Sequence, residues 1–237
     1  HASSLMTRGN LLWIQYDSGA GGRLLALDTA TGRTVWDHVR ANVQNSWASP
    51  TVVNTGKRME LILNASPRVA GYDPLTGAQL WSVECMGGEV AASPAYADGR
   101  VFVVNEYIRL AAVQLGDAPK VSWEYGDDLS NVSSPVATPE FVFMASSGGI
   151  ITCLDARTGH LAWKHEFNKG LYSSLVLAGD RLYAMDIAGT MHVMAVGKSF
   201  RLLGDSELGE PSVCTPAFGN GRIYIRGREN LYCIGDK

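Results

Sequence analysis

Trp47, Arg68, Asn105, Glu106, Tyr107, Arg109, Tyr172, Asp186, Arg226 and Arg228 are the polar, charged and aromatic residues that break an otherwise regular sequence pattern. Trp, Tyr and Arg most often anchor one protein on another, and loops carry binding groups more often than the scaffold beneath them. Trp47, Tyr107 and Tyr172 present flat rings on which a sugar can stack. The chemistry on offer is therefore holding a protein, a peptide or a small sugar.

Other chemistry finds no support in the spacing. His1, His38, His160, His165 and His192 share no ligand spacing, which argues against a metal centre. Ser49, Ser93 and Ser134 belong to a repeat, and no Ser-His-Asp arrangement emerges from them. Cys85, Cys153, Cys214 and Cys233 form neither a Cys-x-x-Cys pair nor an adjacent pair. Cys153 and Cys233 fall where other repeats carry Ala26, Gly71, Ala112 and Val193, so both are expected to be small buried hydrophobes.

The elements that position these residues follow from the repeat. Asp28-x-x-Thr-Gly32-x-x-x-Trp36 returns as Asp73, Gly77 and Trp81, and again as Asp155, Gly159 and Trp163. The Asp can accept the amides of a tight turn, the Gly supplies its positive φ, and the Trp falls inside the next strand. A ring at one fixed place implies a repeated contact between neighbouring units. A second marker opens each unit: Ser4-Leu5, Ser49-Pro50, Ser93-Pro94, Ser134-Pro135, Ser174-Leu175 and Thr215-Pro216, spaced 45, 44, 41, 40 and 41 residues apart. Four short strands fit each unit. In the third they are Pro94–Ala97, Arg100–Val104, Leu110–Val113 and Val121–Tyr125, parted by Asp, Gly and Pro.

Units of this length with four strands predict an all-β chain, a β-propeller of four-stranded antiparallel blades with six repeat units visible. Residues 1–237 are expected to form a single β-propeller domain. The third unit replaces its turn with Gln114–Pro119 but keeps Trp123. The fifth loses both Asp and Trp and carries Phe200–Leu203 as its fourth strand. The sixth ends after a third strand, so the expectation is either a six-bladed ring closed by a strand from the N-terminal end or an incomplete propeller of more blades. In such a fold the loops joining the fourth strand to the next unit, and the second strand to the third, share one end. Trp47, Asn105, Tyr107, Tyr172 and Asp186 lie on those loops.

Composition narrows the partner. With 20 Lys and Arg against 23 Asp and Glu, the net charge is −3, and no basic run suggests nucleic acid. No apolar run approaches the ~18 residues of a transmembrane segment. The chain opens on His1, which implies that an N-terminal segment, such as a signal peptide, was removed or lies outside it.

The Asp-x-x-Thr-Gly-x-x-x-Trp pattern after a Ser-Pro strand resembles the PQQ-type (quinoprotein-like) β-propeller repeat over essentially the whole chain. That resemblance implies seven or eight blades in a complete propeller. The family includes quinone-dependent dehydrogenases with Ca²⁺ and an adjacent Cys pair. It also includes non-enzymatic relatives, among them a periplasmic scaffold of outer-membrane protein assembly. No adjacent cysteines occur here, so PQQ and Ca²⁺ are not supported and no cofactor is expected. The favoured expectation is a non-enzymatic exported propeller, periplasmic or extracellular, that holds a protein or peptide at its loop-lined channel face. The alternatives are a PQQ/Ca-dependent dehydrogenase or its remnant, with Asn105, Glu106 and Asp186 as first ligands, and a carbohydrate-binding propeller.

Overall fold

Short apolar runs, punctuated by Gly and Asx turns, give strands throughout the chain. The computed structural model describes residues 3–235, and among them are 23 strands and no helix. They form six antiparallel sheets in simple up-and-down order, five of four strands and one of three. These are blades of a β-propeller. The chain divides into two compact units, His1–Asn131 and Val132–Lys237.

The first unit holds three blades. Blade 1 is β1 (Met6–Arg8), β2 (Leu11–Tyr16), β3 (Gly22–Asp28) and β4 (Thr34–Arg40). Blade 2 is β5 (Thr51–Asn54), β6 (Met59–Ala65), β7 (Arg68–Tyr72) and β8 (Gln79–Glu84). Blade 3 is β9 (Ala95–Ala97), β10 (Arg100–Asn105), β11 (Arg109–Gln114) and β12 (Lys120–Tyr125), within a residue or so of the strands its sequence predicts. The middle strands are near-continuous apolar runs because blades cover both faces. Leu61, Ile62, Leu63, Val101, Phe102 and Val103 are fully buried, and each side chain of that size is worth about 1.5–3 kcal/mol on leaving water.

The second unit holds the other three. Blade 4 is β13 (Val136–Ala137), β14 (Phe141–Ala145), β15 (Ile150–Asp155) and β16 (Leu161–Glu166). Blade 5 is β17 (Val176–Ala178), β18 (Arg181–Met185), β19 (Thr190–Ala195) and β20 (Leu202–Glu207). Blade 6 is β21 (Ala217–Gly219), β22 (Arg222–Arg226) and β23 (Leu231–Gly235). Its core gathers Phe143, Ile151, Trp163, Leu171, Leu182 and Met194.

The repeated turn behaves as its residues require. Asp28 Oδ1 accepts the Thr31 amide at 2.8 Å and the Thr31 hydroxyl at 2.7 Å, while Gly32 takes φ 70°. Asp73 and Asp155 repeat the arrangement. The motif Trp then docks on the turn of the following blade. Trp36 donates Nε1 to Pro74 O at 3.3 Å, and Trp163 donates to Gly197 O at 2.9 Å. Across its own sheet each motif Trp faces a small residue: Ala26 opposite Trp36, Gly71 opposite Trp81, Ala112 opposite Trp123, Cys153 opposite Trp163. The ladder slips by one residue just after each of them, a bulge that blade 5 repeats after Val193, opposite Gly204.

Two expectations are corrected. The fourth strand of blade 5 runs over Leu202–Glu207 rather than starting at Phe200. Phe200 lies ahead of it, stacked on His165 at 3.8 Å and edge-on to Trp163 at 5.3 Å, and its ring is spent on the neighbouring blade. Cys153 is buried as expected, but Cys233 is exposed, because β23 forms the edge of its three-stranded sheet.

Candidate functional site

In the first unit the two loop types do share an end. The connector after β4 meets the β2–β3 loop through an antiparallel bridge, Asp17 to Ser46, and meets the connector after β8 through a parallel one, Ser46 to Val90. Trp47 N donates to Val90 O at 2.8 Å. Asn45 Nδ2 donates to Glu89 Oε1 at 2.8 Å, and Asn105 Nδ2 donates to Glu89 O. The connector after β8 is thus held between the loops that carry Trp47 and Tyr107.

Beneath this end lies a buried polar network. Gln15 Nε2 donates to Asp17 Oδ2 at 2.7 Å and to Asn64 O at 3.0 Å, and Ser46 Oγ donates to Asn64 O at 2.7 Å. Arg40 and Asp17 form an ion pair that is almost wholly buried. Burial pushes the Asp17 carboxyl above its ordinary range, against the pull of the Arg40 charge and the Gln15 hydrogen bond. These residues are missing from the sequence-based candidates. Their signal was polar side chains inside apolar strands, Gln15 in Leu-Leu-Trp-Ile-Gln-Tyr and Asn64 in Leu-Ile-Leu-Asn-Ala.

On that base the loops expose three large apolar side chains. Tyr107 is 88 % exposed, and Trp47 and Ile108 are more than a third exposed. Tyr107 has φ 65°, and every other described non-glycine residue with positive φ is Asn or Asp. Blades 4 and 5 place Gly149 and Gly189 at positive φ in the corresponding loop. Side chains other than Gly, Asn and Asp rarely adopt this backbone. Holding a bulky ring there costs of order 1–3 kcal/mol and marks candidate functional positions.

The remaining candidates divide between presentation and support. Arg68 donates Nη2 to Asn42 O at 3.2 Å, and Arg109 pairs with Glu124. Glu106 is half-buried beside Tyr107. Asn105 is buried and spends its amide on the Glu89 carbonyl. Within the second unit, Tyr172, Ile187 and Val213 are exposed at the same kind of loop. Asp186 is buried there. One oxygen caps the amides of Ala188 and Thr190 at 2.9 Å, and the other lies 3.3 Å from His192 Nε2. Arg226 and Arg228 flank a small cleft over Cys214, where Arg228 N donates to Pro211 O at 3.0 Å. Among the described residues no three His, Cys, Asp or Glu gather as a metal site requires. None of the helices that cross membranes is present either, since the described residues are strands and loops.

Known proteins resemble this chain over long stretches. A family model described as outer membrane protein assembly factor BamB matches residues 20–170 and 123–199. The outer membrane protein assembly factor BamB of Shigella dysenteriae is 26 % identical over 149 residues, covering 58 % of this chain and 37 % of that protein. Its counterpart from Nitrosomonas eutropha is 29 % identical over 164 residues, covering 63 % and 37 %. The chain thus matches little more than a third of the length of these curated relatives. The crystal structure of BamB from Moraxella catarrhalis aligns with a TM-score of 0.71 at 16 % identity, over 97 % of this chain and 67 % of that one, a likeness of fold.

Proposed function

The chain belongs to the family of the outer membrane protein assembly factor BamB, and from that premise we propose that it is a non-enzymatic, exported scaffold propeller. It holds a protein or peptide partner against the loop end of its first unit. The observation that carries this reading is Tyr107, a large ring held at positive φ and exposed beside Trp47 and Ile108. Rigid aromatic anchors lose little entropy on contact and bury much apolar area. The polar network of Gln15, Asp17, Ser46 and Asn64 fixes the loops beneath them, so little ordering remains to be done on binding. The relatives are outer membrane protein assembly factors, which makes a protein partner the natural occupant.

The residues present fit a quinone and Ca²⁺ poorly. Asn105 and Asp186 spend their side chains on loop backbone and on His192, and no cysteines are adjacent. Stacking of a sugar on Trp47 or Tyr107 would use the same rings.

The test places a photo-crosslinking residue at position 108 in the exported protein. A discrete protein adduct is expected, and Trp47→Ala or Tyr107→Ala should weaken it about tenfold or more while the thermal melt stays unchanged. Undiminished adduct in both variants would show that this face is not the binding face.

A further inference from the structure

At the junction between blades 1 and 2 the motif turn of blade 2 packs against blade 1, beside a cleft of about 400 Å³. Trp13 and Trp36 both donate Nε1 to Pro74 O, at 2.9 and 3.3 Å, and His38 Nε2 lies 2.9 Å from Thr76 O. The junction between blades 2 and 3 lacks this turn. Blade 3 replaces the turn with Gln114–Pro119, and a cleft of about 410 Å³ opens there, floored by Leu80, Trp81, Leu115 and Pro119. Trp81 turns instead to its own blade, donating Nε1 to the buried Glu60 Oε2 at 2.5 Å. Gly71 makes that pairing fit, since a Cβ there would overlap the Trp81 indole and lie 2.9 Å from Glu60 Oε2.

Glu60 in turn orients a cation. Its Oε1 accepts Arg58 Nε at 2.9 Å, while the Arg58 side chain remains 52 % exposed at the cleft mouth. One bond through Nε fixes the guanidinium plane and leaves the Nη donors unspent. Lys57 stands at the same mouth, 3.0 Å from Asp117, with the two side chains 74 and 99 % exposed. An ion pair so open to water is worth little, and Lys57 can exchange it for another anion. A fixed guanidinium fork, an exchangeable ammonium and an apolar floor complement a carboxylate attached to an aliphatic residue.

We propose that this cleft binds a peptide through a carboxylate, with its two oxygens on Arg58 and Lys57 and the adjoining apolar side chain on Leu80, Leu115 and Pro119. The site lies at the opposite end of the strands from Tyr107 and does not depend on the loop-end reading. The experiment titrates the full, ¹⁵N-labelled chain with acetyl-Leu-Leu as free acid, the same peptide as its amide, and acetyl-Leu-Glu-amide, following the Trp81 indole N–H. Saturable shifts with one or both acids support the proposal. Response to the free acid alone specifies a chain terminus, and response to both admits an acidic side chain. Arg58→Gln should weaken binding about tenfold, the value of a lost charge-assisted hydrogen bond, and Lys57→Gln about two- to fivefold, because its ammonium stays open to water. Lys57 is exposed, so its variant remains informative if loss of Arg58 unsettles Glu60. Equal response to the amide, no saturable response to either acid, or unchanged binding by the folded Lys57 variant would overturn the proposal.

Discussion

The backbone amide of Ser49 donates to the hydroxyl of Ser93, one blade along, at 2.9 Å. Ser4 N reaches Ser49 Oγ at 2.8 Å in the same way. In the second unit Ser134 N reaches Ser174 Oγ, and Ser174 N reaches Thr215 Oγ1, both at 2.9 Å. The Ser or Thr that opens each repeat is thus a blade-to-blade fastener. Ser93→Ala leaves the Ser49 amide without its acceptor and should cost about 1–3 kcal/mol, read as a lower urea midpoint at unchanged slope. Ser93→Thr should restore most of the loss, as Thr215 does the same work.

Gly71→Ala should destabilise the protein by about 1–3 kcal/mol through overpacking, because the new methyl overlaps the Trp81 indole. Thermal denaturation compared with Ala26→Gly, which removes a methyl from the equivalent place, would separate this crowding from a general effect on the third strand.

Cysteine labelling should split by environment. Burial raises the Cys85 thiol to about 11 and the Cys153 thiol to about 12, so neither supplies thiolate at neutral pH. Cys233 is exposed. A thiol reagent applied to the native protein should modify Cys233 and spare Cys85 and Cys153 until denaturant is added, as peptide mass mapping would show.

Arg40→Met should cost about 3–5 kcal/mol at neutral pH, because Asp17 is left as a buried carboxylate without its cation. The Asp17 carboxyl is already raised, first by burial. A raised carboxyl favours folding below its unfolded value and loses that contribution as pH climbs through the folded one. The deficit of Arg40→Met should therefore shrink on acidification, measured by denaturant melts across pH.

The turn aspartates act with the opposite sign. Hydrogen bonds from the Thr31 hydroxyl and amide hold Asp28 below its ordinary value. In Asp155 burial is the largest single effect and pushes upward, but the bonds from the Thr158 amide and hydroxyl and the Arg157 amide together outweigh it. Depressed carboxyls stabilise the fold above their unfolded value of 3.8 and lose that contribution as pH falls through the folded one. The Asp28→Asn, Asp155→Asn double variant should show a shallower loss of stability on acidification below about pH 4.

Strands, blades and turns were legible because each is written locally and then repeated: Asp28 and Gly32 make a turn whatever lies beyond it. The set Ala26, Gly71, Ala112 and Cys153 was also visible in register, but its cause was not, since the Trp opposite each is found only once the ladder is paired. Blade 5 inverts the pair, with Val193 facing Gly204, so volume lost on one strand is regained on the other. The candidate site was legible only as loop positions. The sequence marks Tyr107 as aromatic but does not show its positive φ, and the buried support that Gln15 and Asn64 give the Ser46 loop joins residues distant in the chain.

The serine fasteners all point the same way, amide from one blade to hydroxyl on the next. Blades 2 and 5 therefore carry both plug and socket in a single residue, Ser49 and Ser174. Copying or excising such a blade leaves every surviving plug of its unit facing a socket. Blade number in this architecture is accordingly free of the joint that links the blades, and a lineage can lengthen or shorten the row without inventing a new junction.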